Sequence, residues 1–272
     1  MGSVRGRSKL AMLARREQRA GDRLPYARHL DGATLELRDG GLAQTIHLEG
    51  LAFETADTNE LNHRLAVRDT SLRAINNRQF ALYHHIVRRR VEIDIDGEFP
   101  DPVSAGVNAQ WREAIAARRL FVNDHFLTII FRATAGRRGF AERLLKRSGH
   151  ADKARVAHAL RALNGARESL MASLEAYGPR LLGAYDGPAG RCSEPLEMLA
   201  LLYNGALQPV CAPAGDCGRH IPYKRLSFGH DALELKGTGR GDTQFGAVLS
   251  VKEYPATTTA GAIDALLRLP HE

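Results

Sequence analysis

The chain has 272 residues, of which 44% are hydrophobic and 25% are charged, as expected for a soluble globular protein with one large or two small domains. No run of about 18 apolar residues occurs, and the basic start lacks the apolar core of a secretory signal, so the sequence predicts a cytoplasmic protein without a membrane span. Three cysteines, an odd number, argue against a disulfide framework.

The net charge of +7 at pH 7 is unevenly placed along the chain. Residues 1–23 contain seven Lys or Arg residues and two acidic residues, and a second basic cluster spans residues 137–161. The rest of the chain is slightly acidic, whereas a nucleic-acid binder usually concentrates basic residues over its folded face. A basic tail of this kind can attract anionic lipid, nucleic acid or an acidic partner, and it can equally be a solvated terminus.

The first predicted elements are a basic helix, a hairpin and an amphipathic helix. Residues 8–20 suit a short helix. Residues 34–48 alternate in polarity on both sides of a turn at 39–41, which predicts a β-hairpin. A capping-box pattern begins at Asp57, and leucines on one face predict a helix from there to residues 76–77.

Two strands and a helix are predicted next. Residues 80–87 carry large side chains at odd and even positions, which indicates a strand covered on both sides. The segment GEFPDP (97–102) breaks regular structure, and a helix is predicted from 103 to 118 with Trp111 on its apolar face. Residues 126–131 form a short apolar run that is typical of a buried strand.

The longest helical pattern spans residues 139–177, with a break near Ser148 and Gly149. Gly178 and Pro179 end it, as expected at a helix C-terminus. The stretch 135–150 is therefore a candidate sub-boundary within a domain that we place at residues 24–272, after a basic tail or helix at 1–23.

The remaining elements are a strand, a helix, a loop and a pair of strands. Residues 180–185 predict a strand, and residues 194–204 predict a helix with Ser193 as its N-cap. A loop rich in Pro and Gly covers 208–225, and two strands joined by a Gly-rich turn follow it. A last helix is expected from about Thr259.

This order of elements predicts an α+β fold. We expect a mixed, largely antiparallel sheet, or two such sheets, with helices packed mainly on one face. We expect no RecA-like motor domain.

The sequence contains no evident active site, and its motifs fit a structural role. The segment GTGRGD (237–242) is flanked by predicted strands, so a hairpin turn fits it better than a phosphate-binding loop. The pattern G-x-x-x-x-G-K-[ST] occurs nowhere in the chain, and neither does G-x-S-x-G or H-E-x-x-H.

The histidines and arginines of the two predicted central strands do not form an evident catalytic set. His84 and His85 are adjacent in a strand and should point to opposite faces, with one of them buried and the other exposed. Arg88–Arg90 should mark the exposed end of that strand, where they could bind phosphate or an acidic segment or be solvated. Asn123 and Asp124 are expected to precede the second strand as turn residues.

The cysteines offer only weak evidence for a metal site. Cys211, Cys217 and His220 have the spacing C-x5-C-x2-H, which fits no common zinc pattern, and no fourth ligand is evident. A loop with incidental thiols is the better interpretation, and we expect no metal.

Several segments, in order and with similar spacing over about residues 20–272, resemble the N-terminal region of the CagE/TrbE/VirB family of type IV secretion and conjugation ATPases. The most characteristic is FGAVLSVKEYPATT followed by DALLRLP. The others are LPYARHLDGATLELRDGGLAQTIHLEGLAFETAD, ELNHRL, HHIVRRR, GEFPDP, LFVNDHFLTIIFR, YGPRLLG and LSFGHDALELKGTGRGDTQ.

The resemblance implies a protein with two parts. An N-terminal α+β domain would dock onto the inner-membrane complex and onto neighbouring subunits in a dimeric or hexameric ATPase. A C-terminal motor would carry Walker A and Walker B and use ATP and Mg²⁺. This chain has neither motif, so we expect an excised domain or a truncated product that binds no cofactor and is not catalytic alone.

By this resemblance, the function is non-catalytic docking and assembly at the cytoplasmic face of the inner membrane. The alternative is a basic nucleic-acid-binding module, with nucleic acid as the less favoured partner. An anionic membrane surface is a further candidate partner. The residues expected to dock lie on the basic tail and at the strand end: Arg5, Arg7, Lys9, Arg15, Arg16, Arg19, Arg88, Arg89 and Arg90.

Overall fold

The computed structural model describes residues 19–51, 57–75, 77–93, 97–132, 149–239 and 241–253. The helices are α1 (Thr58–Ile75), α2 (Pro102–Ala116), α3 (Gly149–Ser173) and α4 (Glu194–Asn204). The strands are β1 (Tyr26–His29), β2 (Leu35–Leu37), β3 (Leu42–Leu48), β4 (Phe80–Val91), β5 (Leu120–Phe131), β6 (Pro179–Leu181), β7 (Ala184–Gly187), β8 (Gly190–Ser193), β9 (Arg225–Phe228), β10 (Leu233–Lys236) and β11 (Thr243–Gly246).

The largest sheet has six strands in the order β1-β2-β3-β5-β4, and β6 also pairs with β3. Every pairing in this sheet is antiparallel. The described part of the chain also contains a three-stranded sheet, β11-β10-β9, and the two-stranded ribbon β7-β8. Helices and antiparallel sheets together confirm the predicted α+β class.

The predicted hairpin is confirmed as β2 and β3, and its turn chemistry explains why. The Asp39 Oδ1 atom accepts a hydrogen bond from the Gly41 N–H at 2.8 Å. Gly40 has φ of 87°, a left-handed conformation that glycine adopts without strain. The N–H of Leu37 closes the turn on the carbonyl oxygen of Gly41 at 2.8 Å.

The two faces of the central sheet are covered by different helices. On one face Ile46 and Leu127 pack with Leu170 of α3, while Ile75 at the end of α1 packs at the edge of the same cluster. On the other face Phe126 packs with residues of α4. Because side chains alternate along a strand, the even positions of β3 face α3 and its odd positions face the opposite layer.

Helix α4 begins and ends where the sequence predicts. The Ser193 Oγ atom accepts a hydrogen bond from the Leu196 N–H at 3.3 Å, and Pro195 lies in the first turn. Gly205 follows the helix with φ of 69°. Most of the helix is buried, so its caps stabilise an element that the core also holds.

The predictions for β4 and β5 need correction. β4 is the edge strand of the sheet and has no buried residue, so it is not covered on both sides. β5 begins at Leu120, six residues earlier than predicted, so Asn123 and Asp124 lie inside the strand and not in a turn. Both strands are 12 residues long because each supplies the other's hydrogen bonds along its whole length.

Some predictions concern residues outside the described ranges. These are most of the helix at 8–20, the start of the long helix at 139–148, and the last helix near Thr259. The described part of the long helix is α3, followed by a 3₁₀ turn at Glu175–Tyr177 that ends at Gly178 with φ of 58°. The Gly-rich hairpin turn is confirmed between β10 and β11.

Candidate docking surface

The arginines predicted to dock at the end of β4 lie opposite polar and aromatic residues of β5. Arg88 donates a hydrogen bond to Asn123 Oδ1 at 3.2 Å, and its guanidinium lies 4.4 Å from the centre of the Phe121 ring. Arg89 forms an ion pair with Asp124. Arg90 is exposed. The strand end is therefore a surface with charges of both signs, in which Asp124 pairs with Arg89.

Helix α2 lies next to this strand end and has an unusual surface. Its N-cap is Asp101, whose Oδ1 accepts a hydrogen bond from the Ser104 N–H at 2.8 Å. No residue of the helix is buried. Val103, Val107 and Trp111 are 73%, 58% and 62% exposed, and their i, i+4, i+8 spacing makes them one ridge.

The half-buried positions of α2 lie on the adjoining face of the helix. They are Ser104, Asn108, Arg112 and Ile115, three of which are polar. The apolar ridge thus faces solvent while a largely polar face lies toward the protein. This arrangement is the reverse of an ordinary surface helix, whose apolar stripe faces the core.

A shallow cavity connects the helix to the arginine-bearing strand. It has a volume of about 520 Å³ and is lined by Arg90 and Glu92 on one side and by Arg112 and Glu113 on the other. We call the α2 ridge, this cavity and Arg88–Arg90 the α2 surface. It combines exposed apolar side chains with charges of both signs, as protein interfaces do.

Of the tail residues expected to dock, Arg19 is the one that the structure describes. Arg19 is exposed and precedes a 3₁₀ turn, Ala20–Arg23, that packs against a second turn at Cys217–His220. The other tail residues expected to dock, Arg5, Arg7, Lys9, Arg15 and Arg16, lie outside the described residues.

The strand histidines are brought together differently from the prediction. His84 Nε2 lies 3.2 Å from His125 Nδ1 on the neighbouring strand, so one ring donates a hydrogen bond to the other. Partial burial, and then the nearby His125, lowers the pKa of His84, and partial burial also lowers the pKa of His125. His85 points to the opposite face, as predicted, and stacks on Tyr83 with 6.4 Å between ring centres. Neither His84 nor His85 is fully buried, because β4 is an edge strand.

The three cysteines are not placed as reactive or metal-binding groups. Cys192 and Cys217 are buried and Cys211 is exposed, and all three are free thiols. Burial raises the pKa of Cys217 to about 11, which makes it a poor nucleophile near neutral pH. No cluster of three or more metal-ligating side chains occurs within the ranges that the structure describes.

The sequence did not identify the α2 ridge or the His84–His125 pair. The ridge was visible as an apolar face around Trp111, but periodicity alone does not tell whether such a face is covered. The histidine pair depends on the register of β4 and β5, which sets His84 opposite Leu127 and two residues from His125.

Comparisons with known proteins agree on one family. Residues 33–138 match the model of the type IV secretion system ATPase VirB4/TrbE, N-terminal domain. Residues 180–272 match the model of the CagE, TrbE, VirB family, a component of the type IV transporter system. The two models describe successive parts of the chain.

Curated relatives match nearly the whole chain. It is 29% identical to the type IV secretion system protein virB4 of Bartonella quintana over 96% of the chain and 33% of the relative. It is 32% identical to protein virB4 of Agrobacterium fabrum over 90% of the chain and 31% of the relative. It is 28% identical to PtlC of Bordetella pertussis over 98% of the chain and 33% of the relative.

The chain therefore belongs to the CagE/TrbE/VirB family and corresponds to the N-terminal region of the VirB4/TrbE type IV secretion ATPases. It spans about a third of the length of the curated relatives that it matches. Within the described ranges, no helix combines the length and the apolar character needed to cross a bilayer.

Proposed function

We propose that this chain is a non-catalytic docking and assembly domain, which attaches a type IV secretion ATPase to the other subunits of its secretion complex. The relatives are components of such systems, which supports a role within a multi-subunit assembly. The α2 surface is the described surface that suits this role best.

The observation that carries the proposal is the exposed ridge of α2. Val103, Val107 and Trp111 leave apolar area in water, and burying each of them in an interface would contribute roughly 1.5–3 kcal/mol. Trp and Arg are the residues that most often dominate binding energy at interfaces, and both occur here. The charges of both signs around the ridge would orient a partner more than they would strengthen its binding.

The remaining parts of the proposal concern the whole protein. We place the domain at the cytoplasmic face of the inner membrane, in contact with inner-membrane subunits and with neighbouring copies of a dimeric or hexameric ATPase. The basic tail would add attraction to anionic lipid. ATP and Mg²⁺ would bind to a motor region elsewhere in the parent protein. The nucleic-acid alternative has no support from the named relatives.

The test uses the full-length parent ATPase with its secretion complex. Val107→Asp and Trp111→Ser each remove one apolar side chain of the ridge. We expect either variant to co-purify with the inner-membrane subunits with an affinity about 30-fold weaker, which corresponds to about 2 kcal/mol. The matched control is Ala109→Asp, which adds the same charge as Val107→Asp at an exposed position on the far side of α2 from the ridge. ATP turnover of the detergent-solubilised variants should stay at the wild-type rate.

Two outcomes would contradict the proposal. Wild-type co-purification of both ridge variants would show that the ridge does not dock. Equal losses in the ridge variants and in Ala109→Asp would show an effect of charge or folding. Circular dichroism melts of the variants identify the latter case.

A further inference from the structure

A second concave surface lies on the α3 side of the central sheet, away from the α2 ridge. Helix α1 has no buried residue, and its Leu72 is 37% exposed, so the helix stands off the sheet and leaves a groove of about 850 Å³. Leucines from several elements line it: Leu48 of β3, Leu72 of α1, Leu82 of β4, Leu127 of β5, and Leu174 after α3. We call this the leucine groove.

One side of the leucine groove is polar and rich in nitrogen. Arg68 of α1, Arg88 and His84 of β4, and Asn123 and His125 of β5 line it. His84 and His125 share a hydrogen bond, and Arg88 donates to Asn123, so these side chains hold one another in place.

The formally charged residues that line the leucine groove are Arg68 and Arg88. None of the described residues that line it is Asp or Glu. Three carboxylates lie nearby: Asp69 pairs with the groove residue Arg68 at 3.1 Å, Asp124 pairs with Arg89, and the Glu49 side chain lies beside Gly178. Asp124 points to the opposite sheet face because it is one residue from Asn123 along the strand.

We propose that the leucine groove binds a single-chain amphiphile with an anionic head, the chemistry shared by a long-chain fatty acid and a lysophospholipid with a phosphate monoester. The acyl chain lies on the leucines, and the head accepts hydrogen bonds from Arg88. A carboxylate or phosphate is the head that guanidinium groups bind most strongly, often through two parallel hydrogen bonds. The groove volume lies within the range of small-molecule clefts.

The proposal is independent of the docking role. The groove and the α2 surface share only Arg88 at the strand end, and amphiphile binding can be measured with the full 272-residue chain alone. Loss of docking in the ridge variants would leave amphiphile binding unchanged, and failure of amphiphile binding would leave docking unaffected.

The experiment is isothermal titration of the full chain with three probes kept below their micellar concentrations. The probes are oleate, oleoyl lysophosphatidate and oleoyl lysophosphatidylcholine, whose head carries no net charge. We expect saturable one-to-one binding of the two anions and at least tenfold weaker binding of the lysophosphatidylcholine. A preference between oleate and lysophosphatidate distinguishes a carboxylate ligand from a phosphate ligand.

Matched variants assign the binding to the groove. Arg88→Gln should weaken anion binding about tenfold, whereas Arg90→Gln removes the same charge two residues along the strand and should have no effect. Leu72→Gln should weaken both anions, whereas Leu65→Gln, at a similarly exposed leucine of α1, should not. The leucine pair keeps the test decisive if Arg88→Gln disturbs the contact with Phe121.

The proposal is overturned if wild-type protein binds none of the probes. It is also overturned if each groove variant binds like its matched control. An acidic, leucine-rich helical peptide serves as a fourth probe, and saturable binding of that peptide without binding of the amphiphiles would assign the groove to a protein helix instead.

Discussion

Asn204 illustrates how one buried polar residue joins two parts of the molecule. Its Nδ2 atom donates to the carbonyl oxygens of Ala200 at 2.8 Å and Ile221 at 2.9 Å. Its Oδ1 atom accepts from the N–H groups of Tyr223 at 3.1 Å and Lys224 at 3.0 Å. These bonds use both donors and both lone pairs of the amide, so the C-terminal end of α4 is held to the loop that leads to β9.

Asn204→Ala should therefore be strongly destabilising. The substitution leaves buried backbone groups of the loop without partners, and we expect a loss of about 3 kcal/mol in the free energy of unfolding. Urea denaturation followed by circular dichroism measures it. Asn62→Ala, at an exposed position of α1, is the control and should change stability by less than about 0.5 kcal/mol. Equal stability of the two variants would refute this account of Asn204.

The histidine pair predicts a dependence of stability on pH. Partial burial lowers the pKa values of His84 and His125 below the value of 6.5 that they regain on unfolding. The unfolded chain therefore binds more protons below about pH 6.5, so the free energy of unfolding should fall as the pH falls through this range. Urea titrations between pH 8 and pH 5 test this. The double variant His84→Gln/His125→Gln should show a shallower slope, and an unchanged slope would contradict the prediction.

At the scale of elements, α2 and α4 have similar caps and different surroundings. Each begins at a polar N-cap followed by a proline, Asp101 before Pro102 and Ser193 before Pro195. Only α4 also has buried residues, whereas α2 has none. Local capping should therefore matter more for α2, because packing contributes little to holding it.

Asp101→Ala tests this difference. We expect severalfold faster amide hydrogen exchange across residues 102–116 and unchanged exchange in α4, because the cap secures the first turn of a helix with little packing. The midpoint of global urea unfolding should stay at its wild-type value. Mass spectrometry of peptides from the intact domain measures the exchange, and unchanged exchange in α2 would contradict the prediction.

At the scale of the whole molecule, two remote segments close against each other. A Cβ atom on Gly21 would lie 2.6 Å from the carbonyl oxygen of Gly218, which leaves no room for a side chain. Arg38 ties the same region together by donating to Asp216 at 2.9 Å and to the carbonyl oxygen of Leu24 at 2.7 Å. The segment around Asp22 therefore packs on a loop almost 200 residues away along the chain.

Gly21→Ala should destabilise the fold by about 1–3 kcal/mol, because both backbones must move to admit the methyl group. The control is Gly165→Ala, at an exposed position of α3 where the added Cβ has no atom within 4 Å apart from its chain neighbours and the backbone of its own helix. That variant should be more stable than wild type by up to about 1 kcal/mol. Thermal denaturation of both variants measures these changes. If Gly21→Ala is as stable as wild type, the backbones at Gly21 and Gly218 can separate without cost, which would contradict the prediction.

Local sequence patterns predicted most elements correctly where the signal is chemical and short-range. The Asp39–Gly41 turn and the Ser193 cap appear as expected, because their hydrogen bonds join residues that are neighbours in the chain. The order of the elements likewise predicted the α+β class and, through resemblance, the family. The role in docking stays a prediction.

The tertiary structure decided which residues are in contact and which are exposed. The length of β5, the edge position of β4, the approach of His84 to His125 and the exposure of the α2 ridge all depend on strand register and on segments distant in sequence. An apolar period shows that a helix has two unlike faces, but only the packing of the rest of the chain determines which face is covered. The sequence alone therefore determined the elements and the family, and the assembled fold determined which surfaces are exposed.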